Sequence, residues 1–445
     1  MNAVRLRQVL SEQLTDSLRR PLPEHTPRRV FGRVSLDGKA TAVTGIRRGG
    51  KTTFLHQMRR RHADRGMPRE RLPYLLFEDE RLAGLEAGHL GSVVDEYYRR
   101  YPRLRDAEAV VWCFDEIQVV AGWERFVRRL LDTERVEVFV TGSSAALLSR
   151  EVATALRGRA WQVVVHPFSF EEALRHRGRS IPEDPAFLTR RERSHVERAM
   201  LDWLQEGGFA EAQGLDVPSR YQLLRDYVDV AVLRDVVERH EVRNVAGLRT
   251  LVRHLLGNAG SLFSVEKFHA GLRSQGIAIG RDTLHQLLAH LEDCFLVRLV
   301  WMEAGSERQR MVNPRKAYPV DPGLIPPFDR TGRTNVGHAL ETAVLLELER
   351  RRFDVTYVRT QEGYEVDFLA RRAGGSMELF QVCADLSDPE TANRELRALA
   401  AAGARFPDAR KRLLTLTRDG IPDEVPSGVE AQPAYEWLLT PPDDS

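Results

Sequence analysis

From Ala40 to about Phe170, short apolar runs alternate with segments of helical periodicity. The runs are TAVT (41–44), PYLLF (73–77), AVVWCF (109–114), VEVFVTG (136–142) and WQVVVHPF (161–168), separated by the helical stretches Thr52–Arg61, Leu90–Tyr101 and Trp123–Asp132. That alternation predicts an α/β fold built on a parallel sheet. Ahead of it lie a short amphipathic helix, Ala3–Arg19, and a proline-containing linker, PLPEHTPRR. Residues 171–320 change character, and helical periodicity dominates. Val245–Gly257, Val265–Ser274 and Arg281–Asp293 read as three helices followed by a strand, LVRLVW (296–301), which is the pattern of a winged helix. From Val336 the mixed pattern returns: a helix GHALETAVLLELERR, strands at 354–360, 364–370 and 376–383, a helix Pro389–Ala402 and a strand KRLLTLT (411–417). From Ile421 onward, prolines and acids without a basic residue predict a frayed tail.

Composition narrows the class. With 42% hydrophobic and 29% charged residues the chain reads as soluble and globular, and its 445 residues call for more than one core. No apolar run reaches the roughly 18 residues of a membrane span, and the N-terminus lacks the apolar centre of a signal peptide. Three distant cysteines, Cys113, Cys294 and Cys383, fit a reducing cytoplasm and no zinc site. The net charge of +2 means that any nucleic-acid surface must be a local patch. Arg249, Arg253, Lys267, Arg273, Arg281 and Arg298 in the winged-helix segment are its candidate members.

The strongest chemical signal is GIRRGGKT (45–52), which matches G-x-x-x-x-G-K-[ST] between a strand and a helix. Gly45, Ile46, Arg47, Arg48, Gly49 and Gly50 supply a loop whose N–H groups wrap phosphates. Lys51 reaches the β and γ phosphates, the Thr52 hydroxyl ligates magnesium, and Thr53 follows in the helix N-terminus. Downstream, VVWCFDEIQ (110–118) ends a buried strand in Asp115, expected in the magnesium shell, and Glu116, expected to take a proton from the attacking water. The cofactors implied are ATP and Mg2+. In VFVTGSSA (138–145), Ser143 either reads the γ phosphate or, with its neighbours, caps the next helix. Arg157 and Arg159 in LRGR are candidates to place positive charge at the transition state.

These residues resemble a large family of prokaryotic AAA-type ATPases carrying a C-terminal domain of unknown function. The resemblance runs through GIRRGGKTT, LFEDERL, FDEIQ, GWERFVRRLLD, TGSSAALLSRE, LRGR and PFSFEEAL, then RDVVERHEVRN, RKAYPVDPGL, LETAVLLEL, GYEVDFL and LFQVCADLSDPETANREL. Related ATPases include replication initiators and signalling NTPases of the STAND class, which implies slow, switch-like hydrolysis. Beyond Val336 the element order resembles the restriction-endonuclease-like PD-(D/E)XK fold. Carried over, Glu341 is the helix acid, Asp367 the strand acid, and Gln381 and Cys383 hold the third-strand positions. Cys383 stands where such nucleases have lysine, and residues 336–410 contain no lysine, so the expectation is a retained fold that does not cut.

The organisation expected is therefore a helix and linker (1–33), a P-loop AAA-like domain (34–175), a helical and winged-helix domain (176–320), an endonuclease-like α/β domain (321–420) and a tail (421–445). The function expected is a nucleotide-dependent switch acting on DNA. The alternatives are a STAND-like module controlling a protein partner and an ATP-dependent nuclease; self-association is left open, and no membrane is involved.

Overall fold

The computed structural model describes residues 3–142, 154, 156, 158–330 and 335–441. The chain divides into two compact units, Met1–Val165 and His166–Ser445.

In the first unit, β1 (Ala40–Thr44), β2 (Tyr74–Leu76), β3 (Val110–Asp115), β4 (Val136–Thr141) and β5 (Ala160–Val164) form one sheet. Its order is β2-β3-β4-β1-β5, with every neighbouring pair parallel. Strands covered on both faces carry apolar residues continuously rather than in alternation, and β1 and β3 are buried along their whole length. Along β3, Val111 and Cys113 pack with Phe54, Leu55 and Met58 of helix Lys51–Asp64. Val110, Trp112 and Phe114 turn to the opposite face, under helices Ala87–Arg100 and Trp123–Thr133. The helix Ala3–Arg19 joins that second layer through Leu6, Val9, Leu10 and Leu14, a spacing of three and four that makes one helical stripe. From β1 the chain crosses to the β2 edge, whereas β5 lies on the other side of β1. Ligands of open α/β sheets bind at the C-terminal ends of strands where the order reverses in this way.

The second unit is built on an eight-stranded sheet. Its strands are β6 (Leu262–Phe263), β7 (Val297–Met302), β8 (Arg315–Pro319), β9 (Asp354–Arg359), β10 (Glu365–Arg371), β11 (Met377–Cys383), β12 (Arg410–Thr415) and β13 (Val429–Pro433). The order is β13-β12-β11-β10-β9-β7-β8-β6. Helices Val245–Gly257, Val265–Ser274 and Arg281–Asp293 lie at their expected bounds, and β8 pairs antiparallel with both β6 and β7. A parallel pairing of β7 with β9 then carries the same sheet across residue 320, where a domain boundary was expected. Helix Val336–Arg350 is buried without a break from Ala339 to Leu348, because it is packed between the sheet and helix Arg190–Glu206. Helix Pro389–Arg405 packs with Leu369 and Leu379 of the sheet through Ala398, Leu399 and Ala402.

The expected frayed tail is corrected by the structure. Residues 429–433 form β13 beside β12, and helix Ala434–Leu439 places Tyr435, Trp437 and Leu438 in the core. Arg351 fixes this end by donating to the carbonyls of Trp437 (2.7 Å) and Thr440 (2.9 Å), with its guanidinium over the Trp437 ring. Composition failed here because a handful of large apolar side chains outweighs the polar residues around them.

Candidate functional site

The loop 45–50 joins the C-terminal end of β1 to helix Lys51–Asp64. Two glycines are required by geometry. Gly45 has φ +142°, and a Cβ there would stand 2.2 Å from the Val165 carbonyl oxygen; Gly50 has φ +98° and opens the helix. Arg48 also adopts positive φ (+61°), a conformation costly for a residue with a side chain and concentrated at functional sites. Gly50 offers no side chain to cap the helix, so the first N–H groups point out of the helix toward the loop. Lys51 is buried and folds back over the loop, its Nζ donating to the carbonyls of Gly45 (3.1 Å) and Ile46 (3.2 Å). Thr52 is exposed and Thr53 half-buried at the same helix end. Ile46 is buried, Arg47 lies 3.6 Å from Glu78, and Gly49 is held from outside the loop: Arg28 donates to its carbonyl at 2.8 Å. Arg28 comes from the linker, where no motif marks it.

Asp115 ends β3 fully buried, with both oxygens engaged. The Tyr74 hydroxyl on β2 donates to Oδ2 (2.7 Å), and the Thr141 hydroxyl at the end of β4 donates to Oδ1 (2.5 Å). Thr141 also accepts the Glu116 N–H at 2.8 Å. Glu116 itself has φ +53°, which turns the chain sharply out of the strand. Its Oε2 accepts from the Gln118 amide at 2.5 Å. Burial raises the Glu116 carboxyl above the ordinary carboxylate range, and the nearby Lys51 charge opposes that rise. Three strand ends and one helix N-terminus thus bring Lys51, Asp115, Glu116 and Thr141 to one place. The donor set fits a hard divalent ion, since Asp115 and the exposed Thr52 are oxygen ligands of the kind magnesium takes. Among the described residues no group of three or more His, Cys, Asp or Glu is arranged to hold a metal by itself. Such a site would therefore depend on phosphate oxygens from the ligand.

Ser143 and Arg157 lie outside the described residues. Arg159 does not join the loop. Its carbonyl accepts from Ala40 at the start of β1, at the end of the sheet opposite the loop, and its guanidinium pairs with Asp132. A five-residue strand spans about 16 Å, which separates Arg159 from the phosphate-binding end.

In the second unit, Glu341 and Asp367 do come together, but with a lysine the sequence did not assign to them. Lys316 of β8 places Nζ 3.0 Å from Glu341 Oε1, 2.9 Å from Asp367 Oδ1 and 2.8 Å from Glu365 Oε1. Residues 336–410 supply no lysine to these acids, as the sequence reads, but the continuous sheet delivers one from before residue 320. Tyr318 donates to Glu341 Oε1 at 2.5 Å, and the Val382 N–H donates to Asp367 Oδ2 at 3.0 Å. Gln381 is buried and gives its amide to Glu395, whereas Cys383 turns to the Asp385 carbonyl (3.2 Å) with its thiol pushed up by burial. The available signal was a lysine inside a buried strand run, RKAYP, since lysine is almost never buried without counter-charges. Of the arginines assigned to a phosphate surface, Arg298 is instead tied to Glu349 at 2.7 Å, and Arg281 lies 3.9 Å from Glu266.

Comparison with known proteins agrees with the geometry of the first unit. Residues 37–174 match the AAA domain family, and residues 197–332 match a domain of unknown function (DUF8612). An uncharacterised protein of Methanocaldococcus jannaschii is 31% identical over 416 residues, covering 91% of this chain and 89% of that one. An uncharacterised protein of Haemophilus influenzae is 27% identical over 398 residues, covering 89% and 93%. Among solved structures, the Aeropyrum pernix ORC1 protein in complex with DNA is similar at 18% identity, over 71% of this chain and 88% of that one, with a TM-score of 0.26. Cdc6p of Pyrobaculum aerophilum follows at 12% identity, over 68% and 94%, with the same TM-score; scores this low carry no conclusion about partners. No described helix is long and apolar enough to cross a membrane. Strand order, loop and relatives agree: the chain belongs to the family of the Methanocaldococcus jannaschii protein, and its first unit is an AAA-type P-loop ATPase domain.

Proposed function

We propose that the chain is a nucleotide-dependent switch that binds ATP with Mg2+ and hydrolyses it slowly. The observation that supports this is the meeting of Lys51, Asp115 and Glu116 at the C-terminal ends of β1 and β3. In this reading the loop N–H groups and Lys51 hold the β and γ phosphates, and Thr52 and Asp115 hold magnesium. Magnesium would neutralise charge on the phosphates. Glu116 takes a proton from water, and its raised pKa brings it nearer to the working pH, where a general base is most effective. Magnesium-dependent phosphate release by the full chain, lost in Lys51→Ala, is the expected result; an inert chain that binds no ATP would sink it.

The output we assign to the segment 245–319, read as a winged helix: three helices followed by the antiparallel strands β6, β8 and β7. Its first target is DNA. A second target has its own support, because helix Arg281–Asp293 exposes Asp282, His285 and Gln286 beside Arg281, a face of mixed charge. That face suits a protein partner, as in STAND-like regulation, better than a polyphosphate. DNA affinity falling steeply with added salt, in the presence of ATP, selects the first target. No binding to DNA at low salt selects the second. The sheet beyond Val336 we read as an endonuclease-like fold that does not cut, and magnesium- or manganese-dependent cleavage abolished by Asp367→Ala would overturn that reading.

A further inference from the structure

We propose that Lys316 is the resident cation of a three-carboxylate cluster in the second unit, and that its ammonium occupies the place among those oxygens that a divalent metal would take only once the lysine is removed. The inference rests on the second unit alone and is independent of the nucleotide reading. An ammonium has three N–H donors and no acceptor. Here all three have a carboxylate oxygen within reach, at 2.8 Å (Glu365), 2.9 Å (Asp367) and 3.0 Å (Glu341). Lys316 is only 3% exposed, so these carboxylates are its main counter-charge.

The surroundings are those of an oxygen-rich cation site. Continuing the Phe368–Phe380 register by one residue on each strand sets Gln381 beside Asp367. Gln381 is 4% exposed, and its carbonyl oxygen is buried without a hydrogen-bond partner. Gly260 leaves room beside Glu341: a Cβ there would stand 3.0 Å from Oε2. Hard divalent cations take oxygen ligands at about 2.0–2.6 Å and favour carboxylates and amide carbonyls, which is the set assembled here. An ammonium at 2.8–3.0 Å holds the same oxygens slightly further apart. Three carboxylates against one ammonium leave formal negative charge that a dication would neutralise better. Lys316 also joins β8 to helix Val336–Arg350 and to β10, so a fixed cation welds three elements that a metal would weld only when present.

The test replaces the ammonium with an apolar side chain of similar length, Lys316→Met, in the full chain without nucleotide. Mn2+ binding is followed by electron paramagnetic resonance. The variant should bind one Mn2+ about tenfold or more tightly than the wild-type chain, and Asp367→Asn added to it should abolish that gain. Leaving the buried Glu341 and Asp367 and the half-buried Glu365 uncompensated threatens folding. If Lys316→Met is unfolded alone, recovery of its circular dichroism on adding Mn2+ supports the proposal equally. The proposal is overturned if wild-type chain binds Mn2+ as tightly through Asp367, if the folded variant binds none, or if the variant stays unfolded with Mn2+ present.

Discussion

Substituting Glu116 by Gln isolates one function of the nucleotide site. The amide keeps the size of the carboxyl, and its carbonyl can still accept from Gln118, as Glu116 Oε2 does at 2.5 Å. The backbone contact to Thr141 at 2.8 Å involves no side-chain atom of residue 116 and is retained. Lys51 and the loop glycines are untouched, so ATP affinity should stay within about threefold of wild type, less than 1 kcal/mol. Hydrolysis should not. Loss of a positioned general base costs about 10²–10⁴ in rate, or roughly 3–5 kcal/mol of barrier at 1.36 kcal/mol per tenfold. A second signature follows from burial, which raises the Glu116 pKa. A base works only when deprotonated, so wild-type turnover should climb with pH through a limb lying above the ordinary carboxylate value of 4.5. Glu116→Gln should lack that limb. The assay is phosphate release across pH 4.5–8 with saturating magnesium and ATP, paired with calorimetric titration of a non-hydrolysable analogue. Turnover within a factor of three of wild type, with the acid limb intact, would refute the role assigned to Glu116.

Two further substitutions probe the same site. Lys51→Ala removes the buried charge that the proposed function assigns to the β and γ phosphates, and should weaken ATP binding at least about tenfold by calorimetry; unchanged affinity would refute the proposed function of the loop. Tyr74→Phe deletes the hydroxyl that donates to Asp115 at 2.7 Å. It should cost about 1.5–3 kcal/mol in urea unfolding, as for a hydrogen bond to a charged group, and should shift the magnesium concentration for half-maximal hydrolysis. No change in either measurement would show that Asp115 does not depend on Tyr74.

What the sequence disclosed and what it hid divide along physical lines. The first unit was legible because its central strands β1 and β3 are buried along their whole length as short, mostly apolar runs, with helical stretches of 3.6-residue periodicity between the strands. The loop's geometry was legible because its pattern is local: Gly45, Gly50, Lys51 and Thr52 lie within eight residues of one another. Lys316 was not legible, since its partners lie 25, 49 and 51 positions downstream and meet it only because β7 pairs with β9 in one sheet. Arg28 at Gly49 and Tyr74 at Asp115 were missed for the same reason. The C-terminal helix was missed because composition averaged over 25 residues conceals six whose burial decides the outcome. Arg159 was misplaced by proximity in sequence: it lies in the segment leading into β5, but at the wrong end of the strand.

A carboxylate outside both sites gives a prediction about pH. Asp321 is fully buried at the end of β8, where Oδ2 accepts the Gly208 N–H at 2.6 Å and Oδ1 accepts the Gly323 N–H at 2.9 Å. Burial pushes its pKa up to about 7 from 3.8, against the pull of those two N–H donors and of Arg350. An acid whose pKa is raised on folding binds its proton more tightly in the folded chain. Its contribution to stability is then complete below about pH 4 and is lost as pH rises through about 7. Three pKa units at 1.36 kcal/mol each set the loss at roughly 4 kcal/mol at most. Asp321→Asn cannot titrate and also leaves one of the two glycine N–H groups facing an amide rather than an acceptor. The variant should therefore be less stable than wild type, by a margin that is widest at about pH 4, narrows as pH rises to about 7 and is constant above that. Urea unfolding of the full chain at several pH values, following the transition that the substitution moves, measures that margin. A margin independent of pH would mean that the two glycine N–H donors keep Asp321 ionised throughout, and that hydrogen bonding there outweighs burial.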